Sequence, residues 1–586
     1  LKPEVDISNL CQAIYRSCLS LARPRENVNF MVRQYVGDNY AEEGAELRVP
    51  LNFMSLYHRV VLPKLVANNP QFSLTTWNME ARPTVKTMED VGNEVIGRMH
   101  LGKTLERVAS SALFSAGWLK VGIAKSSDVT RFSYGLKEGR VYAHPISQDD
   151  IAFDTHARTW EELGWIGHRY RIPVWKARER WHKDIQPTED KIYTEMGIEK
   201  TAMISRGYYG QHYELEDMVD LWEVYVPSHN LIITLDAEDI FGGSPPDQPL
   251  GEEEWIGPKG SMPIHMLGFG TVPDNLMPKA PLADLITLHE DVNNLLRKQI
   301  MQAKDQKKVL PLRPGSEADG KRLQDTSNGE VFECSTPENL RELNFGGPDP
   351  QNFELMMTLK ELMDWMAGNI SAIGGLAPQA KTLGQEKLVT DSSNATVAEM
   401  QRRMVDFARD VGHDILWYLW NDPNTVHDQP FVLQGLDIAI PRQVTPKERR
   451  RVDFDQLKLE IEPFSLQSQT PIEVDAQLTQ LVTQLITPML PILQQQGVTF
   501  NATEFMQIKA KLIRRPELLR ILSIQEPPEN QPASSGADVP SMPANTQRSY
   551  ERISRSERTP QGAHNERVTR MHGAAAAAPG NNGDGT

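Results

Sequence analysis

The sequence predicts an α+β fold, mainly helical, and three observations carry that prediction. Apolar residues in the first seventy positions recur at intervals of three and four, the period of helices with one buried face. Between Trp118 and Asp236 the pattern changes to short runs bounded by turn residues, the mark of strands. From Pro281 to Asp422 two long amphipathic helices lead out to a polar, strand-containing excursion and back; a Gly-containing loop and a third helix follow.

Taken in order, ISNLCQAIYRSCLSLAR places Leu10, Ile14, Cys18 and Leu21 on one helical face. LNFMSLYHRVVLPKLVANNP gives a second helix, broken near Pro70. QFSLTTWNM reads as a strand, and a helix pair covers about 84–117. WLKVGIAK and RVYAHPIS read as strands, as do IAFD and WIGHRYRI; a basic helix follows the last. VDLWEVYVP and LIITLD flank Ser228, His229 and Asn230 and predict a β-hairpin. Residues 240–262 read as loop, and PIHMLGF as a strand leading into the long helices.

The first long helix, 281–306, carries Leu285, Leu288, Val292, Leu295, Leu296 and Ile300 on one face and Asp284, Asp291, Arg297 and Lys298 opposite. The return helix, 349–372, opens at Asp349-Pro350, an N-cap followed by proline at the first helical position. Leu288, Val292, Leu295, Met356, Leu359 and Met363 are the expected packing residues of this pillar. The return helix also carries Met357 and Met366, more apolar surface than a lone pillar can bury, so packing between subunits is expected. KKVLPL and GEVFECS are strand-like pieces of the excursion between the two helices. After the third helix, residues 423–470 mix short strands with the basic turn TPKERRRVD, which reads as solvated. Residues 471–522 return to helix, and from Gln525 the composition collapses to Pro, Ser, Asn, Gly and Ala, as in disordered chains.

Bulk properties exclude several classes. A length of 586 residues allows roughly three to five domains or subdomains. No apolar run approaches the ~18 residues of a membrane span, and LKPEVDISNL lacks the apolar core of a signal peptide. Three cysteines cannot make a disulfide framework, and a reducing, cytoplasmic place of synthesis is expected. Cys11 and Cys18 share a helical face and read as small core residues. A formal net charge of −16 does not suit a static nucleic-acid clamp. DNA contact, where it occurs, has to be local or weak, and acidic walls would keep phosphate from sticking.

One motif points to chemistry. Gly97-Arg-Met-His-Leu-Gly102-Lys103-Thr104 matches G-x-x-x-x-G-K-[ST], the phosphate-cradling loop of many nucleotidases, and Asp236 could supply its acidic strand. Yet a helical pattern precedes it where a buried strand is needed, and its middle residues are bulky. Gly102 is better read as a helix C-cap, with Thr104 opening the next helix. His289-Glu290 is followed by Asn293, which breaks the zinc pattern HExxH. Asp149, Asp150 and Asp154 read as a solvated turn, and no cofactor or metal site is expected.

At this point the chain resembles the portal proteins of tailed bacteriophages. ISQDDIAFDTHARTWEELGWIGHRYRIP, Ile146–Pro173, is similar to the portal pattern of a polar lead-in, an Asp and a His-containing strand. The element order matches over about Leu1–Leu522. The resemblance implies a wing (1–280), stem helix 1 (281–306), a clip (307–348), stem helix 2 (349–372) and a tunnel loop (373–395). A long kinked helix with the wing return (396–470), a helical crown (471–524) and a disordered tail (525–586) complete it.

The resemblance further implies a ring, typically of twelve copies, at one capsid vertex, assembled in the host cytoplasm and retained in the virion. Double-stranded DNA is packaged and ejected through its channel. The large terminase subunit docks during packaging, and tail or adaptor proteins replace it; major capsid and scaffolding proteins are further partners, a membrane is not, and the ring itself is not an enzyme. In that scheme Gln379, Lys381, Gln385 and Lys387 of the tunnel loop contact DNA, with Gly374 and Gly375 giving flexibility. Lys307, Lys308 and Arg313 face DNA or an acidic docking partner. The competing expectations are a P-loop nucleotidase of the packaging apparatus, and a ring or shell protein that never touches DNA.

Overall fold

The computed structural model describes residues 4–37, 51–124, 139–188, 216–242, 245–309, 317–327, 331, 333, 343–345, 347–373, 383–433 and 438–461. The chain divides into two units, Leu1–Gln477 and Leu478–Thr586, and every described residue belongs to the first. The expected crown and tail therefore lie outside the described residues.

Helix α1 (Ile7–Val36) starts where the Asp6 carboxylate accepts from the Asn9 amide at 3.1 Å. It ends at Gly37, whose φ of 64° only glycine adopts freely. Cys11 and Cys18 are both buried and unbridged, as expected, and burial pushes the Cys11 thiol up to about 11. Next come α2 (Phe53–Leu65), β1 (Phe72–Thr75), α3 (Arg82–Arg98), α4 (Leu101–Phe114), β2 (Gly117–Ile123) and β3 (Val141–Ile146). The middle of the chain gives β4 (Ile151–Phe153), β5 (Ile166–Pro173), α5 (Val174–Trp181), β6 (Met218–Val226), β7 (Leu231–Asp236), α6 (Ala237–Phe241) and β8 (Gly251–Glu254). Then follow β9 (Ile264–Leu267), β10 (Gly270–Val272), β11 (Asn275–Lys279), α7 (Ile286–Lys304), β12 (Lys307–Val309), α8 (Glu317–Asp325) and β13 (Leu343–Phe345). The described chain closes with α9 (Pro350–Met366), α10 (Leu383–Asn421), β14 (His427–Leu433), β15 (Ile438–Val444) and β16 (Lys458–Ile461). Mixed helix and strand make this an α+β protein.

All pairings among the described residues are antiparallel. A five-stranded sheet runs β4-β5-β6-β7-β8 and a three-stranded one β3-β2-β9. The expected β6–β7 hairpin turns at Asn230, which takes φ 56° and donates to the Trp255 carbonyl at 3.0 Å. The two sheets are tied by Lys120 of β2 and Glu223 of β6, 2.6 Å apart and largely shielded from solvent. Strand β8 falls in the stretch expected to be loop. Its sequence GEEE hides its conformation because it is an edge strand, where charges are tolerated and block further pairing. The β10–β11 hairpin is likewise absent from the sequence expectation.

The main core gathers around α10, whose Met404, Phe407, Val411 and Ile415 are buried among side chains of α2, α3 and α4. Two glycines permit the close crossings. A Cβ on Gly412 would lie 2.1 Å from the Phe72 ring, and one on Gly92 would lie 2.2 Å from Leu416 Cδ2. Asp414, buried on α10, accepts from Ser261 Oγ at 2.7 Å, His265 Nε2 at 2.9 Å and His413 Nδ1 at 3.1 Å. That carboxylate pins the long helix to β9 and the loop before it, and its partners hold its pKa below the usual range despite burial.

Two polar clusters differ from expectation. Asp150 is not simply solvated: Arg169 grips it at 2.8 Å and reaches Asp220 at 3.5 Å. Among the described residues no group of three acidic, His or Cys side chains could hold a metal ion. Arg449, expected in a solvated turn with Arg450 and Arg451, is fully buried and donates through Nη2 to the carbonyls of Asp422 (2.5 Å) and Thr425 (2.9 Å). An arginine run gives no sign of which member folds inward to close a chain reversal.

Candidate assembly surface

The Pro281–Asp422 stretch forms most of what was expected of it. A 3-10 turn at Pro281–Leu285 leads into α7, and α7 packs against α9. Asp349 caps α9 by accepting from the Gln351 amide at 3.0 Å, with Pro350 next, as the sequence indicated. Gln299 of α7 donates to the Asp349 carbonyl at 2.7 Å, so the outer end of one helix is stitched to the start of the other. Midway along α7, Asn293 clamps the backbone of one residue of the segment entering α2. Its Oδ1 accepts from Leu51 N at 2.9 Å and its Nδ2 donates to Leu51 O at 3.1 Å.

Of the expected packing residues, Val292, Met356 and Met363 are buried, and Leu288, Leu295 and Leu359 are half-buried. They line the seam between the helices where it joins the main core, to which Met363 and Leu288 belong. His289, one turn before Asn293, is buried beside the same Leu51 backbone, and burial depresses its pKa to about 4.

The rest of the apolar surface stays outside. On α9, Phe353, Leu355, Met357, Leu362, Trp365 and Met366 are exposed, Trp365 by 69%. On α7, Ile300 and Met301 are exposed, Met301 by 63%. At 3.6 residues per turn, Phe353 and Met357 lie on one flank of the Met356/Met363 seam, and Leu355, Leu362 and Met366 lie on the other. Exposed apolar side chains thus flank the seam on both sides, interspersed with Glu354, Lys360, Glu361 and Asp364. One side of α9 meets α7, and these flank residues stay exposed among the described residues. Sequence reasoning found the surplus of methionine but not its division between two flanks.

Beyond the helices, Lys307 and Lys308 lie in β12, which pairs with β13 in the register Lys307↔Phe345, Lys308↔Asn344. Arg313 and most of GEVFECS lie outside the described residues, while α8 is a helix the sequence reading of the excursion did not include. Gln379 and Lys381 also lie outside, as do Gly374 and Gly375. Gln385 and Lys387 correct the sequence expectation: they belong to α10, which begins at Leu383 rather than near 396. What reads as loop through 395 is helix from 383. At 1.5 Å per residue, α10 is about 58 Å long.

The Gly97–Thr104 motif is a corner between two helices. The break is not at Gly102 but at His100, which takes the left-handed φ of 51°, and Gly102 lies in the first turn of α4. There its amide donates to Asn69 Oδ1 at 2.6 Å, and a Cβ would lie 2.8 Å from the Asn68 carbonyl. Helix α3, not a strand, precedes the motif. Asp236 ends a strand of an antiparallel pair and caps α6, and burial raises its pKa to about 7. This is not the strand–loop–helix that wraps a triphosphate. No family model matches the chain, and no curated protein matches it.

Proposed function

We propose that the chain is one subunit of a portal-type ring, twelve copies in the form the resemblance suggests, that conducts double-stranded DNA into and out of a capsid. The observation that carries this is α9, with exposed apolar residues on both flanks of its buried seam. A subunit in a cyclic assembly meets a neighbour on each side through two different patches, and one helix apolar on both flanks supplies both. An isologous dimer would need only one.

In this reading α7 and α9 form the channel wall, and residues 307–348 form the tip where the large terminase subunit and then tail or adaptor proteins dock. Gln379, Lys381, Gln385 and Lys387 fall in the sequence between α9 and the body of α10, and there a few cations per ring would meet phosphate transiently. The net charge of −16 suits a passage that does not retain its cargo. The ring works as conduit and platform and performs no chemistry; its place is the portal vertex of the virion, among capsid and scaffolding proteins. Electron micrographs of the purified protein test this directly. Rings with a central hole wide enough for a ~20 Å duplex are expected; monomers or closed shells would overturn the proposal.

A further inference from the structure

A cavity of about 720 Å³ opens where the end of α3, the β2–β3 hairpin, the end of α10 and the start of β14 meet. Its size is that of sites for small organic ligands. Val95, Met99, Ile123, Val141 and Leu419 give it apolar walls, with Tyr142 and Tyr418 beside them. Its polar lining is mainly cationic or titratable to a cation: Arg98, Arg140, His144 and His427. Arg98 is paired with Glu94, whereas Arg140 has no acidic partner among the described residues. Asp422 is the one carboxylate among the described lining residues, and its own turn occupies it. It accepts from Asn424 N at 2.9 Å, from Thr425 N at 3.3 Å and from Thr425 Oγ1.

Two buried groups stand unsatisfied at this wall. Arg449 lies behind the Asp422–Thr425 turn, with Nε and Nη1 lacking any hydrogen-bond partner. The Leu419 carbonyl accepts from His427, whose Nε2 is buried and unpartnered. Buried polar atoms without partners are uncommon, and burying a cation is costly unless negative charge faces it.

We propose that this cavity binds the phosphate of a nucleotide, with the anion at Arg140 and Arg98 and the apolar body against the walls beside Tyr142 and Tyr418. Arg449, walled off by the turn, acts through its field rather than by contact. His427 faces Arg449 and Asp422 within its wall, and Arg98, Arg140 and His144 share the lining with it. Burial first, and Arg449 second, keep it neutral; a bound anion reverses the balance and draws a proton onto the ring. Binding therefore tightens as pH falls from 8 to 6. The inference is independent of the ring, since it rests on side chains of one chain.

The phosphate could belong to a free nucleotide or to a DNA backbone, and the experiment separates them. Purified full-length chain is titrated with deoxyadenosine monophosphate, with deoxyadenosine, and with a short DNA duplex, followed by thermal shift and calorimetry. Saturable binding of the monophosphate but not the nucleoside is expected, weakened about tenfold by Arg140→Ala. Duplex binding that the monophosphate competes away, and that Arg140→Ala weakens alike, assigns the phosphate to DNA. His427→Gln should flatten the pH dependence; if that variant does not fold, Arg140→Ala at pH 6 and 8 decides alone. No binding by monophosphate or duplex, or binding unchanged in both Arg140→Ala and Arg98→Ala, overturns the proposal.

Discussion

The core around α10 and the α7–α9 pair are built from similar residues and treat them in opposite ways. Around α10 nearly every large apolar side chain is enclosed, down to the glycines that let helix and ring touch. In the pair only a narrow seam is enclosed, and Trp365, Leu362 and Phe353 stand in the open. The first region completes itself; the second leaves apolar surface open among the described residues. Surface apolar residues scattered singly need no explanation, but a helix lined with them on two flanks does.

That contrast can be broken by substitution, and the expected effects on the chain's own stability fall in order. Trp118 is fully buried, with Nε1 donating to Gln148 Oε1 at 2.7 Å. Trp118→Ala should cost about 3–5 kcal/mol in urea unfolding. A loss under about 1 kcal/mol would mean that the sheet cluster around Trp118, which is separate from the α10 core, is not enclosed as that core is.

His289 sharpens the comparison through pH. Its folded pKa of about 4 lies below the ordinary 6.5, so on acidification the unfolded chain takes the proton first. Its contribution is fully present above pH 6.5 and is lost as pH falls to about 4, a loss of about 3 kcal/mol. Unfolding followed across that window should show the decline, and His289→Leu should flatten it. An unaltered slope in the variant would show that His289 is not held neutral by burial.

Asp414→Ala strips one acceptor from Ser261, His265 and His413 and should cost about 1–3 kcal/mol. A neutral result would mean that the pin between α10 and β9 is dispensable. The smallest effect on the chain itself belongs to the open flanks. Phe353→Glu with Leu362→Glu, one on each flank, should change its unfolding by no more than about 0.5 kcal/mol, yet abolish rings in micrographs. Rings that persist would remove α9 from the assembly. Lys381→Glu with Lys387→Glu should leave both folding and rings intact and lower only packaged DNA length or retention; unaltered packaging would remove these lysines from the DNA path.

What the sequence made legible follows from physics that acts over a few residues. The periodicity of α7, the Asp349-Pro350 cap and the β6–β7 hairpin are all local signals, and all three are present. The errors lie where a distant neighbour decides. GEEE becomes strand β8 because β7 offers it an edge. Residues 383–395 carry Gly384, Thr390, Ser392, Ser393 and Asn394, which read as loop, yet α10 runs through them. Arg449 is interior only because the chain reverses over it. On the candidate surface, methionine content foretold a surplus of apolar area, but its separation into two flanks needed the seam with α7 to fix which side faces inward.

Asn293 has a mechanical consequence. Its amide holds both the N–H and the C=O of Leu51, so a slide of α7 along its axis by even one residue breaks two bonds together. The helix therefore cannot ratchet past α2 independently. A pull along α7 is thus passed to the segment entering α2 as well as through Leu285 and Leu288, which pack into the α10-centred core, and the seam transmits load as a strut rather than sliding as a piston.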